Sequence, residues 1–133
     1  MNPATRDALL ERLRYYDSVV EVGIGYRDDV ARLLAQCASV VATDIHDRPT
    51  PLGVEFVRDD VTDPTLSVYE GAEALYAICL PPELHRPAWA VARRVGAAFH
   101  FTTLGGDQPA VPVARETLPG TTLFTARERE VPA

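Results

Sequence analysis

The chain has 133 residues, 47% of them apolar, enough for one hydrophobic core and little more than one domain. Its formal net charge is −6 with a pI near 5.0, which excludes the basic footprint needed to hold a nucleic-acid backbone. All 13 basic residues are arginine, and an acidic, lysine-free surface suits solubility in concentrated salt, so a halophilic protein is expected.

Cys37 and Cys79 lie far apart without metal or redox spacing, which points to a reduced, cytoplasmic protein. Each is expected near the end of a buried element. The charged stretch Arg6 to Arg14 carries no signal-peptide core, and no apolar run reaches the ~20 residues of a membrane span.

Residues 1–17 read as an N-terminal helix. Asn2 caps it, Pro3 opens it, and Leu9, Leu10, Leu13 and Tyr16 share a face. Val19 to Val22 is strand one. It runs into Gly23-Ile24-Gly25, a turn ending near Tyr26-Arg27, and then a helix capped by Asp28 or Asp29, with Val30, Leu33, Leu34 and Cys37 as its buried stripe. Val40 to Thr43 is strand two, ending on Asp44. Two prolines make Arg48 to Gly53 a loop, and Val54 to Arg58 is a short strand ending at Asp59-Asp60. Asp63-Pro64 starts a short helical or turn segment.

The near-continuous apolar run Ala74 to Leu80 predicts a central parallel strand buried on both faces. Pro81-Pro82 stops it. Glu83 to Val95 predicts a helix that Pro87 either delays or kinks. Ala98 to Thr103 and Thr121 to Ala126 are the last strands, and residues 127–133 are expected to fray. Alternating strands and helices predict one α/β domain over residues 1–133. It is a three-layer, Rossmann-like, mostly parallel sheet with helices on both faces, and its ligands sit beyond the carboxyl ends of the strands.

Those ends carry Gly23 and Gly25, Asp44, Asp60, Pro81-Pro82 and Gly105-Gly106. A Gly-x-Gly turn between a β-branched strand and a helix, with an acid 21 positions after Gly23, is the grammar of a nucleotide-holding βαβ unit. A tight turn with nothing bound would leave the same glycines. Asp28 occupies the third glycine position of a dinucleotide fingerprint and repels a diphosphate. Glu21 beside the turn suits a cationic or amine-bearing ligand instead. The three histidines, His46, His85 and His100, are too dispersed for a metal pair, so no metal is expected. His46 reads as a solvated loop residue and His100 as structural. His85 is the one histidine with a possible proton-shuttle role, against a structural alternative. Neither Ser39 nor Ser67 lies in a nucleophile elbow. No catalytic residue is assigned.

Val20-Glu21-Val22-Gly23-Ile24-Gly25 resembles the first motif of class I S-adenosylmethionine-dependent methyltransferases. The resemblance covers residues 17 to 104 and departs from the motif at Arg27, where that family has a third glycine. It implies that Glu21, Gly23 and Gly25 surround the methionine part of S-adenosylmethionine. An acid like Asp44 would then bind the ribose, and one like Asp60 would sit near the adenine. Leu80-Pro81-Pro82-Glu83 stands where amino-methyltransferases carry an Asn/Asp-Pro-Pro-aromatic motif, but it lacks both the acceptor and the stacking ring. The chain also looks too short for that family's substrate-recognition insertions and C-terminal strands.

As a whole the sequence is similar to a family of short, uncharacterised archaeal Rossmann-like proteins, with this glycine turn and a Pro-Pro-Glu-Leu segment after the fourth strand. Val57 to Pro64 and Ala72 to Ala77 are similar to ligand-binding domains that regulate potassium transport. That likeness implies NAD or an adenine nucleotide and no catalysis. A partner subunit that binds nothing, or a homo-oligomer, completes the alternatives.

Overall fold

The computed structural model describes residues 1–128, so residues 129–133 of the expected tail lie outside the described residues. Helix α1 (Pro3–Leu13) begins where the Asn2 side chain accepts a hydrogen bond from the Ala4 N–H at 2.7 Å, with Pro3 in the first turn. Strand β1 (Ser18–Val22), helix α2 (Asp29–Leu34) and strand β2 (Ser39–Asp44) form the first βαβ unit, followed by β3 (Val54–Arg58). After a 3-10 turn at Leu66–Val68 come β4 (Ala74–Ala77) and a 3-10 turn at Pro82–Leu84 that runs into α3 (His85–Val95). Strands β5 (Ala98–Phe101), β6 (Val113–Leu118) and β7 (Thr121–Ala126) complete the sheet.

The strand order is β3-β2-β1-β4-β5-β7-β6. The pairings from β3 to β5 are parallel, and β7 runs antiparallel between β5 and β6. Strand order reverses between β1 and β4, so the loops after these strands flank the crevice where such folds take ligands. Both strands are buried almost throughout, which is why their sequences are nearly continuous apolar runs.

Alternation sends side chains to two cores. Val19, Val40, Ala42, Ala74 and Tyr76 pack with Leu9, Leu13, Val30, Ala31 and Leu34 of α1 and α2. Val20, Val22, Leu75, Phe99 and Phe101 pack on the other face with Ala88, Val91 and Ala92 of α3. Pro87 is the third residue of α3, where its missing N–H has no intrahelical partner to lose, and the α-helix starts at His85 rather than at Glu83, which lies in the preceding 3-10 turn.

Three sequence expectations are corrected. The chain does hold C-terminal strands: β6 lies between Pro112 and Pro119 and pairs along its whole length with β7. Strand β4 ends at Ala77 rather than Leu80, because Cys79 takes a left-handed φ of 55° and its N–H turns to the Thr102 hydroxyl at 2.9 Å. Cys37 is exposed, because α2 ends at Leu34 and Cys37 falls in the turn that follows.

Candidate ligand site at the carboxyl edge of the sheet

Gly23 and Gly25 both adopt left-handed backbone, with φ of 69° and 56°. A Cβ at either position would meet nothing within 4 Å, so the conformation rather than crowding requires glycine, and the space above the turn is open. The Ile24 N–H donates to the Thr43 carbonyl at 3.0 Å, which ties the turn to the end of β2.

Asp44 closes that end. One carboxylate oxygen accepts the Gly25 N–H at 2.8 Å, and the other accepts the His46 N–H at 3.0 Å. The residue is only 7% exposed. The Arg48 Nε lies 3.5 Å from it, too long for a hydrogen bond, and this buried nitrogen has no hydrogen-bond partner. The Arg48 guanidinium stacks 4.3 Å from the centre of the Tyr26 ring, so it arches from the β2–β3 loop to the glycine turn. Gly23, Asp44, His46, Arg48, Asp59 and Leu84 are among the residues lining a groove of about 230 Å³ at this point. Beyond Asp59 a shallower depression is lined by Ile45, Arg58, Asp59 and Asp60.

Glu21 does not open on the groove. It is 1% exposed, and the Tyr76 hydroxyl on the adjacent strand donates to it at 2.6 Å. Burial pushes its pKa up to about 8 despite the opposing effect of that hydrogen bond, with the nearby Asp28 charge adding to the rise. Burial therefore favours its neutral form. Asp60 is exposed, and its carboxylate accepts both the hydroxyl and the N–H of Thr62, which hold its pKa down. Asp59, more enclosed, accepts the Tyr69 hydroxyl at 2.7 Å and the Thr65 N–H at 3.1 Å.

The remaining sequence candidates divide clearly. His85 is fully buried. Its Nε2 donates to the Leu80 carbonyl at 2.9 Å and its Nδ1 accepts the Ala110 N–H at 3.0 Å, so both ring nitrogens are engaged and the proton-shuttle role is replaced by a clamp. His100 sits between the hydroxyls of Tyr16 and Thr125, with its pKa lowered by burial. Pro81-Pro82 forms the corner that this clamp holds. No group of three or more His, Cys, Asp or Glu side chains among the described residues could hold a metal.

Sequence reasoning missed Tyr26, Arg48 and Tyr76. The spacing of four between Asp44 and Arg48 was the one available hint, whereas Tyr26 and Tyr76 reach their partners only through the fold.

This sheet and glycine turn define a Rossmann-like fold of the methyltransferase type. An RNA methyltransferase from Salinibacter ruber, in complex with S-adenosyl-L-homocysteine, matches with a TM-score of 0.61 at 18% identity, covering 99% of this chain and 95% of that one. Magnesium protoporphyrin IX methyltransferase from Synechocystis, with S-adenosylmethionine bound, gives a TM-score of 0.61 at 12% identity over 91% of this chain and 76% of that one. Likeness at such identity concerns the fold. Residues 6–129 match the uncharacterised protein family UPF0146, and the chain belongs to that family. An archaeal relative from Halobacterium salinarum is 54% identical over 119 residues, 87% of this chain and 92% of its own. Another, from Archaeoglobus fulgidus, is 47% identical over 70% of this chain and 72% of its own.

Proposed function

We propose that the protein binds an adenosine-containing cofactor, S-adenosylmethionine in preference to others, in the groove beside Asp44, and that it acts as a methyltransferase in the cytoplasm of a halophile. The observation that carries this reading is the open left-handed Gly23–Gly25 turn, fastened to a carboxylate at the end of β2 that also lines the groove.

The residues present fit such a group. The glycines leave backbone accessible above the turn, and Asp44 keeps lone pairs beyond the two it spends on Gly25 and His46, enough for ribose hydroxyls once Arg48 swings off it. Asp60 would lie at the base end, along the depression past Asp59. Glu21 would act from behind, as a neutral acid that braces β1 against β4 through Tyr76. When bound, the cofactor would supply an activated methyl group. The protein's own part would be mainly positioning, with the exposed imidazole of His46 the base at hand on the groove lining.

A second reading is favoured by one feature. Arg48 lines the groove and its buried Nε has no hydrogen-bond partner, so an anionic nucleotide such as NAD or ATP would give its guanidinium an acceptor. That would make the protein a regulatory binding module. Calorimetric titration in high-salt buffer with S-adenosylmethionine, S-adenosylhomocysteine, NADH and ATP separates the two. Binding of the first pair alone supports the methyltransferase reading, and binding of NADH or ATP alone transfers the protein to the regulatory class. Silence from all four would reduce the turn to architecture and leave a partner subunit as the better account.

A further inference from the structure

A second cavity, of about 410 Å³, opens on the same edge of the sheet between the first turn of α1 and the ends of β4 and β5. Its size falls within the ~300–1,000 Å³ range of small-molecule sites. Leu9, Ile78 and Leu104 supply apolar wall, and Thr103 and Thr121 supply hydroxyl-bearing wall. Among the described residues, Arg27 is the only charged side chain in the lining, and no carboxylate joins it. In a chain with 19 acidic and 13 basic residues, a wall that holds an arginine and, among the described residues, no acid is a local reversal of charge.

The Arg27 side chain is also available. Its Nη1 donates to the Cys79 sulfur at 3.1 Å, and among the described residues it forms no ion pair with a carboxylate. The remaining guanidinium donors form a planar fork that matches a carboxylate in two parallel hydrogen bonds. The chemistry of the wall narrows the class. The aliphatic wall calls for a hydrocarbon body.

We propose that this cavity binds a small organic monocarboxylate, held at its charged end by Arg27 and along its hydrocarbon body by Leu9, Ile78 and Leu104. The claim concerns a site separate from the Asp44 groove and stands independently of what that groove holds.

The test uses hexanoate and its neutral amide, hexanamide, as probes at constant ionic strength. Binding is followed by the backbone and arginine side-chain NMR signals of the full chain and of its Arg27→Gln and Arg27→Lys variants. Arg27 is exposed and its side chain bonds to the Cys79 sulfur, so both variants should fold. Hexanoate should shift the Arg27, Thr103 and Thr121 signals and bind at least ~10-fold more tightly than hexanamide. Arg27→Gln should abolish the difference, and Arg27→Lys should restore part of it. Equal binding of acid and amide, no binding of hexanoate, or a preference that survives in Arg27→Gln would overturn the proposal. S-adenosylhomocysteine titrated into the same samples reports separately on the Asp44 groove.

Discussion

At the scale of single residues, Glu21 and Asp44 show how two acids at neighbouring strand ends meet different surroundings. Asp44 accepts from two backbone N–H groups and lies beside an arginine. Glu21 lies beneath the turn with only the Tyr76 hydroxyl as side-chain donor, and burial raises its pKa to about 8 from a usual value of 4.5. A folded-state pKa above the unfolded one means that the folded protein holds the proton more tightly. The stabilisation is fully present below about pH 4.5 and is lost as pH rises through about 8. Glu21→Gln keeps an acceptor for Tyr76 and removes the titration. Denaturant unfolding between pH 5 and 8 should therefore show the wild type losing on the order of a few kcal/mol relative to that variant. Parallel pH profiles would contradict the assignment. Glu21, the glycines and Asp44 were legible in the sequence because they occupy fixed offsets in one local unit. The direction in which Glu21 faces was not legible, since it depends on pairing with Tyr76, 55 positions further along the chain.

At the scale of elements, local pattern revealed the strands rich in β-branched and apolar residues. Val19 to Val22, buried throughout, and Val54 to Arg58, an edge strand with only Val54 buried, match their observed spans within a residue. Strand β6 escaped notice because it lacks that pattern. It is an edge strand whose Ala114, Arg115, Glu116 and Thr117 are exposed, and flanking prolines disguise it as a loop. Its pairing is fixed instead by the Pro119-Gly120 turn, which docks on α1 through the Thr5 hydroxyl donating to the Pro119 carbonyl at 2.6 Å. Gly120 has a φ of 76°, and a Cβ there would lie 2.6 Å from the Thr5 oxygen. Gly120→Ala should thus lower stability by about 1–3 kcal/mol, read as a reduced denaturant midpoint with unchanged slope. An unchanged midpoint would show that the hairpin does not depend on this docking.

At the scale of the whole molecule, the acidic, lysine-free composition and the two-sided sheet answer different demands. The sheet sets the fold shared with methyltransferases, whereas the surplus of 19 acids over 13 bases concerns the solvent. Close acidic groups repel one another in dilute buffer, and salt screens that repulsion. The thermal midpoint should fall steadily as salt is lowered from molar to dilute, and a midpoint indifferent to salt would remove the halophilic reading. No helix among the described residues is long and apolar enough to cross a membrane.

The reading of the Asp44 groove is tested most directly by titrating S-adenosylhomocysteine, in high salt, into the wild type and into Asp44→Ala, with circular dichroism to verify that the variant is folded. The account predicts saturable binding to the wild type and its loss in the folded variant. Equal binding to both proteins, or none to the wild type, would contradict it.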